Sequence, residues 1–239
     1  MFKEYLRQYR HEITEGNPNN GICFDGAVNP ELFFAHNKRL MFLLKETNGN
    51  DMNGKRNNVT TDWDYMAWVQ KQANGEEDLY RSAFRNIAMW SKMFNTYVIG
   101  KKPSIDEFID SNRLIINQAL CKSLENIAII NLKKSWGTEQ TDWNSMNAYL
   151  KDRVRKEILM NQVNVLKPML VLCGGTFDFA YMIFGDNCQI QKQECANGSE
   201  IEFFIKEQTV FVKCYHPSRP GWSRQDSFNH MNAILGTLL

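Results

Sequence analysis

The sequence predicts an α/β domain, a three-layer αβα sandwich with a mostly parallel central sheet and a helical insertion. Short, continuous apolar runs at 39–44, 126–132, 169–173 and 210–215 are typical of strands buried on both faces. Helical patterns separate these runs, which is the order expected of parallel strands joined by helices. The 239 residues, 43% of them hydrophobic, are enough for one domain with a large core, so we predict a single domain over 1–239.

The first half of the chain contains one strand and several helices. A helix is predicted up to about Ile13, followed by a loop rich in Gly, Asn and Pro at 15–26. The first buried strand, 39–44, ends in the polar run 45–49. We interpret the region 50–124 as a helical insertion in the sheet domain. Its helical patterns lie at 62–73, 76–95 and 104–124.

Two details of this insertion are specific. Ser104 and Glu107 have the spacing of a capping box, which predicts the start of the third helix. The helices are also rich in aromatic residues, and such residues fill a core more often than they stack on a ligand. We therefore expect these side chains to be packing residues: Trp63, Trp68, Phe84 and Trp90.

The second half alternates strands and helices. The second strand, 126–132, is followed by one long helix over 141–166, with apolar residues at intervals of three to four. The third strand, 169–173, precedes a helix at 176–184. After it we predict a hairpin with its turn at Asn197-Gly198 between 189–194 and 201–205, the last core strand at 210–215, and a closing helix at 226–238.

Composition narrows the classes of function. The 28 Lys and Arg residues nearly balance 27 Asp and Glu, so any basic surface for nucleic acid must be local. No apolar run approaches the roughly 20 residues of a membrane span, and the N-terminal residues lack a signal-peptide core. The six cysteines include no Cys-x-x-Cys pair or Cys/His ladder. We expect a cytoplasmic protein with reduced thiols, no membrane contact, no metal or iron–sulfur cluster, and no cofactor.

Three polar clusters directly follow predicted strands. They lie at 45–49, 131–134 and 216–218. Ligands of open parallel sheets bind beyond the carboxyl ends of the strands. We therefore expect the three clusters to converge on one site.

The order of these clusters carries a family resemblance. An apolar strand ending in a short polar motif, a later strand ending in Asn131, and a last strand ending in His-Pro-Ser at 216–218 form a pattern that resembles the uracil-DNA glycosylase superfamily. The resemblance covers about 38–49 and 126–238. It implies hydrolysis of the N-glycosidic bond of a damaged or deaminated base in DNA, with no cofactor. The implied partner is DNA, in single-stranded or damaged form.

The resemblance also implies catalytic roles. In the first motif Lys45 stands where the family usually has Gly, Thr47 at the catalytic position, and Asn48 where Pro is usual. Glu46 is the only carboxylate nearby, so we expect it to position water on the sugar side with help from Thr47. His216 is expected to donate to a base carbonyl oxygen as negative charge develops there, most usefully as a neutral imidazole.

Binding residues follow the same pattern. Asn131 offers a donor and an acceptor that can read the imide edge of uracil, and a base in a duplex must first be flipped out to reach it. Asn48 and Gly49 complete the expected base-binding set. Contacts to DNA are expected from Lys133, Lys134, Ser218, Arg219, Trp222 and Arg224.

Two other functions fit parts of the sequence. The departures in the first motif equally favour a catalytically inactive glycosylase-like domain that binds a nucleotide, nucleic acid or protein. Separately, Cys173 before the Gly-Gly pair at 174–175 resembles the nucleophile turn of glutamine amidotransferase domains, with His216 as its base. That family carries an acidic residue two positions after the histidine, where this chain has Ser218.

Overall fold

The structure, a computed structural model, describes residues 2–17, 19–47, 61–79, 82–111, 113–136, 142–196 and 198–239. The helices are α1 (Lys3–Gln8), α2 (Arg10–Ile13), α3 (Pro30–Ala35), α4 (Tyr65–Asn74), α5 (Ser82–Val98), α6 (Gln118–Lys122), α7 (Trp143–Lys151), α8 (Arg153–Leu166), α9 (Phe177–Phe184) and α10 (Arg224–Leu238). The strands are β1 (Cys23–Phe24), β2 (Gly26–Ala27), β3 (Leu40–Leu44), β4 (Trp63–Asp64), β5 (Ile109–Asp110), β6 (Arg113–Leu114), β7 (Ile127–Asn131), β8 (Leu170–Gly174), β9 (Gln191–Glu194), β10 (Glu200–Lys206) and β11 (Thr209–Cys214). Short 3₁₀ helices lie at Ile105–Glu107 and Ser123–Asn126.

A seven-stranded sheet forms the centre of the described structure, in the order β2-β7-β3-β8-β11-β10-β9. The four adjacent strands β7, β3, β8 and β11 are parallel, and the strands at both edges are antiparallel. Along the chain the parallel strands are the second, first, third and fourth, so the order reverses between β3 and β8. In sheets of this kind ligands bind at the carboxyl ends of the strands beside that switch point. The topology therefore predicts a ligand site beside the residues that follow Leu44 and Gly174.

Burial on both faces explains why the core strands are continuous apolar runs. In β3, Leu40, Phe42 and Leu44 belong to a core that includes residues of α4, α5, α6 and α10. Met41 and Leu43 point the other way and belong to a second core with residues of α1, α3, α7, α8 and α9. A strand covered by helices on both faces has no polar side. The prediction of a mixed α/β protein with a largely parallel central sheet is confirmed at this level.

The predicted packing role of the aromatic residues is also confirmed. Phe84 and Trp90 are buried, and Trp63 and Trp68 pack, partly buried, against the same core. The ring of Trp90 stacks on Phe42 of the sheet, with centroids 6.3 Å apart. The helices that follow β3 therefore share their core with the sheet.

Two helix predictions are wrong in extent. The region 104–124 holds the 3₁₀ helix, the β5–β6 hairpin and the short α6 instead of one helix. The predicted capping box of Ser104 and Glu107 is present, but it begins only that 3₁₀ turn. The helix predicted over 141–166 is divided at Asp152, because this residue has extended backbone and its side chain caps the start of α8.

The N-terminal prediction needs a similar correction. Its single helix is divided at Tyr9 into α1 and α2. The predicted loop at 15–26 contains β1 and the first residue of β2, which pairs with β7 at the edge of the main sheet. The predicted hairpin of β9 and β10 is confirmed, although its turn residue Asn197 lies outside the described residues. Over the described ranges, no helix has both the length and the apolar character to cross a membrane.

Candidate functional site

A cavity of about 630 Å³ lies at the carboxyl ends of β8 and β11. Ligand cavities of roughly 300–1,000 Å³, lined by rings and a few polar groups, are typical of small-molecule sites. The wall combines aromatic rings with histidines and charged side chains. The aromatic residues are Trp143, Phe177, Phe179 and Tyr215, the histidines are His216 and His230, and the charged residues are Asp178, Glu200, Glu202 and Lys213.

The His-Pro-Ser loop, residues 216–218, is held in place from two sides. The side-chain amide of Asn86 in α5 donates to the carbonyl oxygen of Pro217 at 2.5 Å, and Arg224 of α10 donates to the same side chain at 2.6 Å. On the other side, a Cβ atom placed on Gly174 would lie only 3.1 Å from Cδ of Pro217. The loop therefore depends on a glycine at the end of β8 and on two helices.

Hydrogen bonds within the loop set the tautomer of His216. The backbone N–H of Ser218 donates to Nδ1 at 3.2 Å, and the Ser218 hydroxyl lies 2.7 Å from the same nitrogen. A ring nitrogen that accepts from an N–H carries no proton, so the proton of the neutral ring is on Nε2. Burial, with a smaller contribution from the charge of Lys45, lowers the pKa of His216 to about 4. At neutral pH the ring is a neutral donor.

Lys45 lies at the switch point, directly after β3. Its Nζ is 4.3 Å from the ring centroid of Trp143. A Cβ atom on Gly175 would lie 3.4 Å from Cε of Lys45 and 3.8 Å from Cβ of His216, so both side chains pack against this glycine. Burial lowers the pKa of the Lys45 ammonium, and the charge of Glu46 opposes that change. The amine thus lies against Trp143 and Gly175, two residues of the cavity wall.

An aromatic cluster lies next to the loop. The rings of Tyr215, Trp222 and His230 have centroids 4.7–5.1 Å apart. The guanidinium carbon of Arg219 lies 3.7 Å from the ring centroid of Tyr215 and 4.8 Å from that of Trp222. Burial, with a smaller contribution from Arg219, lowers the pKa of His230 to about 4. Two of the predicted DNA contacts, Arg219 and Trp222, are therefore brought together beside the cavity.

The end of β7 is organised around a buried carboxylate. Asp25 accepts from the backbone N–H of Asn131 at 2.6 Å, from Nζ of Lys134 at 2.7 and 2.9 Å, and from Nε2 of Gln162 at 3.0 Å. The four residues are all buried. A buried carboxylate requires such partners, since its charge is otherwise very costly to remove from water. We call this set, Asp25, Asn131, Lys134 and Gln162, the Asp25 cluster.

The Asp25 cluster changes the interpretation of two predicted site residues. Lys134 is 1% exposed and paired with Asp25, so it is not part of an exposed basic rim as expected. Asn131 is also buried, and its side-chain amide lies 3.4 Å from the same carboxylate. Neither residue lines the described cavity. Asn131 and Lys134 of the 131–134 cluster therefore belong to the interior, so the three clusters do not all converge on one site.

The residues of the first motif, 45–49, do not share one environment either. Glu46 is half-buried next to Lys45, whereas Thr47 is buried beside the thiol of Cys23. Neither side chain lines the described cavity. Asn48 and Gly49, predicted to contact the base, lie outside the described residues.

The remaining predicted DNA contacts occupy different surroundings. Ser218 and Arg219 are exposed, and Lys133 is half-buried with Nζ 5.6 Å from the ring centroid of Tyr149. Arg224 is half-buried and donates to Asn86, so it supports the loop.

The alternative nucleophile has an unsuitable environment. Cys173 is fully buried in the second core, and burial raises the pKa of its thiol well above the ordinary value. Only the thiolate is an effective nucleophile. The structure therefore does not favour the amidotransferase-like reaction.

Several residues of the cavity were not found from the sequence. Trp143, Phe177, Tyr215 and His230 line it, yet none belongs to a recognisable motif. The Gly-Gly pair at 174–175 was a usable signal, since a glycine turn after a core strand leaves space for side chains from neighbouring strands.

Neither a metal centre within the described residues nor a matching family adds to this description. Across the ranges that the structure describes, no three His, Cys, Asp or Glu side chains come together as metal ligands would. Comparison of the chain with protein-family models, curated proteins and solved structures gave no match. The functional proposal therefore rests on the cavity and on the strand-end motifs.

Proposed function

We propose that this protein is a divergent DNA N-glycosylase with a fold like that of the uracil-DNA glycosylase superfamily. In this proposal the cavity beside His216 receives one unpaired nucleobase, and the bond between that base and its sugar is hydrolysed. The observation that carries the proposal is the neutral His216, with its proton on Nε2, on the wall of an aromatic cavity at the carboxyl edge of the sheet.

The base side of the reaction fits this imidazole. Cleavage of an N-glycosidic bond places negative charge on the departing base, and a fixed donor at that position stabilises the transition state. A neutral donor keeps its proton while it stabilises the charge, which an imidazolium with an ordinary pKa does less readily. The firm anchoring of the 216–218 loop by Asn86 and Gly174 keeps the donor in one orientation.

The size and lining of the cavity fit a nucleotide. Aromatic walls such as those of Trp143 and Tyr215 favour a flat, conjugated ligand. A base in a duplex must leave the stack before it enters such a cavity, so single-stranded DNA is the simplest substrate. The exposed Arg219 and Ser218 beside the cavity are suitably placed for phosphate contacts.

On the sugar side we assign water positioning to Glu46. Its carboxylate follows β3 beside Lys45, near the switch point of the sheet. Charge on this carboxylate would also stabilise the positive charge that develops on the sugar.

The direct test is base release from a single-stranded oligonucleotide that contains one uracil. We expect free uracil and one alkali-labile site for each turnover, and little activity from Glu46→Gln or His216→Ala. Oligonucleotides with hypoxanthine, and mismatched duplexes, test other bases in the same assay. Glu157→Gln, on the exposed surface of α8, is the matched carboxylate control. Absence of base release from every substrate would contradict the proposed hydrolysis.

A second candidate function is base binding without cleavage. The position of Thr47, buried beside Cys23 and away from the cavity, favours it, because the expected partner of Glu46 in orienting water is then missing. Measurable affinity for the uracil oligonucleotide that depends on His216, together with no base release, would identify the protein as a glycosylase-like binding domain.

A further inference from the structure

Lys45 differs from other lysines near the strand ends in where its amine lies. Lys134 is enclosed with Asp25, and Lys213 forms an ion pair with Glu202 at 2.7 Å. The amine of Lys45 instead lies over Trp143 and against the exposed Gly175, two residues of the cavity wall. The side chain of Lys45 is not itself part of the cavity lining, but its amine contacts two residues that are, so a small movement of the side chain would bring the amine to the space that the proposed substrate would occupy.

The backbone explains how the amine reaches this position. Gly175 has φ +67°, a conformation that favours glycine, and it presents no side chain toward Lys45. The carbonyl of Lys45 accepts from the N–H of Lys133 at 2.9 Å, which extends the β3–β7 ladder past the strand and fixes where the side chain starts.

The surroundings also favour the reactive form of the amine. Burial lowers the pKa of Lys45, and the effect of burial is larger than the opposing effect of Glu46. A larger fraction of the side chain is then the free amine at neutral pH than for an exposed lysine. Desolvated lysines of this kind are the ones that form Schiff bases with carbonyl groups.

We propose that Lys45 captures the abasic sugar of DNA as an imine, an activity additional to base release. The inference rests on the proposed function only in that the cavity accepts a deoxynucleotide of DNA. The nitrogen of Lys45 adds to the C1′ aldehyde of the ring-opened sugar, giving a carbinolamine. Loss of one water then forms the C=N bond, and addition of water reverses the step. No oxidant, reductant or metal is required.

The experiment uses a single-stranded oligonucleotide with a preformed abasic site, so that base release is not needed. Sodium borohydride reduces the imine to a secondary amine, and the covalent protein–DNA product is measured on a denaturing gel. We expect Lys45→Arg and Lys45→Met to lower the trapped fraction about tenfold or more, since neither side chain offers a free amine. Peptide mapping should place the adduct on Lys45.

The matched control is Lys92→Arg. Lys92 is also half-buried with Nζ over an aromatic ring, 5.2 Å from the centroid of Phe108, but that ring, unlike Trp143, does not line the cavity. Its substitution should leave trapping unchanged. Thermal unfolding of each variant shows whether the fold is retained, and Lys45→Arg, which keeps the charge, separates phosphate attraction from amine chemistry.

The possible failures are distinguishable. Base release from the uracil oligonucleotide without trapping of the abasic one would overturn the inference and leave the proposed function standing. Trapping on Lys45 without base release would support the inference and contradict hydrolysis. Trapping that persists in both Lys45 variants, or adducts spread over several lysines, would overturn the inference.

Discussion

The ends of β7 and β11 carry polar motifs of similar appearance but opposite use. At the end of β7, Asn131 and Lys134 are buried and bind Asp25 through a hydrogen bond and an ion pair. At the end of β11, His216 keeps its Nε2 proton and lines a cavity. The difference lies in the partner. A buried carboxylate captures the polar groups at the first end, whereas a hydroxyl and an N–H of the same loop hold the imidazole at the second.

This comparison shows what a polar motif after a strand does and does not indicate. The topology brings every such motif to the same edge of the sheet. Whether a motif faces a ligand then depends on whether a charged residue from a distant part of the chain, such as Asp25, binds its polar groups. Asp25 lies 106 positions from Asn131 and 109 from Lys134.

The largest expected effect is on stability, and it comes from the Asp25 cluster at the end of β7. Asp25→Asn leaves the Lys134 ammonium buried without its carboxylate, and we expect a loss of about 3–5 kcal/mol in the free energy of unfolding, measured with urea. Glu157→Gln, which breaks the exposed pair with Arg153, should change it by roughly 0.5 kcal/mol or less. A loss below about 1 kcal/mol for Asp25→Asn would show that the Asp25 cluster contributes little to the stability of the fold.

The next largest effect is on affinity, and we expect it to differ between the end of β7 and the end of β11. His216→Ala removes the donor from the cavity, and we expect the affinity for a uracil-containing oligonucleotide to fall about tenfold, the equivalent of one hydrogen bond. Asn131→Ala removes a side chain that faces Asp25, and should change the affinity about twofold at most. Equal losses for the two variants would mean that Asn131 also reaches the base.

We expect stability to depend on pH through His216 and His230, the two histidines that line the cavity. His216 and His230 have pKa values lowered to about 4 by burial, against 6.5 for the unperturbed side chain. Between pH 6.5 and 4 the unfolded chain binds these protons and the folded chain does not. Their contribution to stability is therefore complete above pH 6.5 and is lost as the pH falls toward 4.

The measurement is urea denaturation of wild type and His230→Gln at pH 7 and at pH 4.5. We expect the variant to lose less stability between the two values, by roughly 2 kcal/mol. The exposed His36→Gln serves as the control and should follow wild type. A variant that follows wild type at both pH values would show that His230 takes up its proton without cost.

The smallest expected effect concerns the exposed charges beside each end. Arg219→Gln should weaken DNA binding about threefold and reduce the slope of log affinity against log salt by about one. Lys133→Gln should have a smaller effect, since its amine lies toward the ring of Tyr149. A larger effect for Lys133 than for Arg219 would place the DNA path on the β7 side.

The four core strands were predictable, because helices on both faces impose continuous apolar runs such as 39–44 on the sequence. The neutral state predicted for His216 agrees with its pKa in the structure, which burial lowers to about 4, while its role stays a prediction. These features depend on local pattern and on a general rule for parallel sheets.

The rest depended on contacts that leave no local pattern. Nothing near Lys134 indicates that Asp25 neutralises it, and nothing near Trp143 or His230 indicates that they reach the cavity. The helix expected at 104–124 failed for a related reason, because a capping box defines where a helix begins and not how far it continues.

The contact between Asn86 and Pro217 has a consequence for local motion. Since α5 holds the carbonyl of the 216–218 loop, the loop can loosen only when that helix contact opens. A ligand that binds the ordered loop must then also lower the frequency of such openings. Amide hydrogens of α5, with no ligand contact of their own, should exchange more slowly with deuterium when the cavity is occupied.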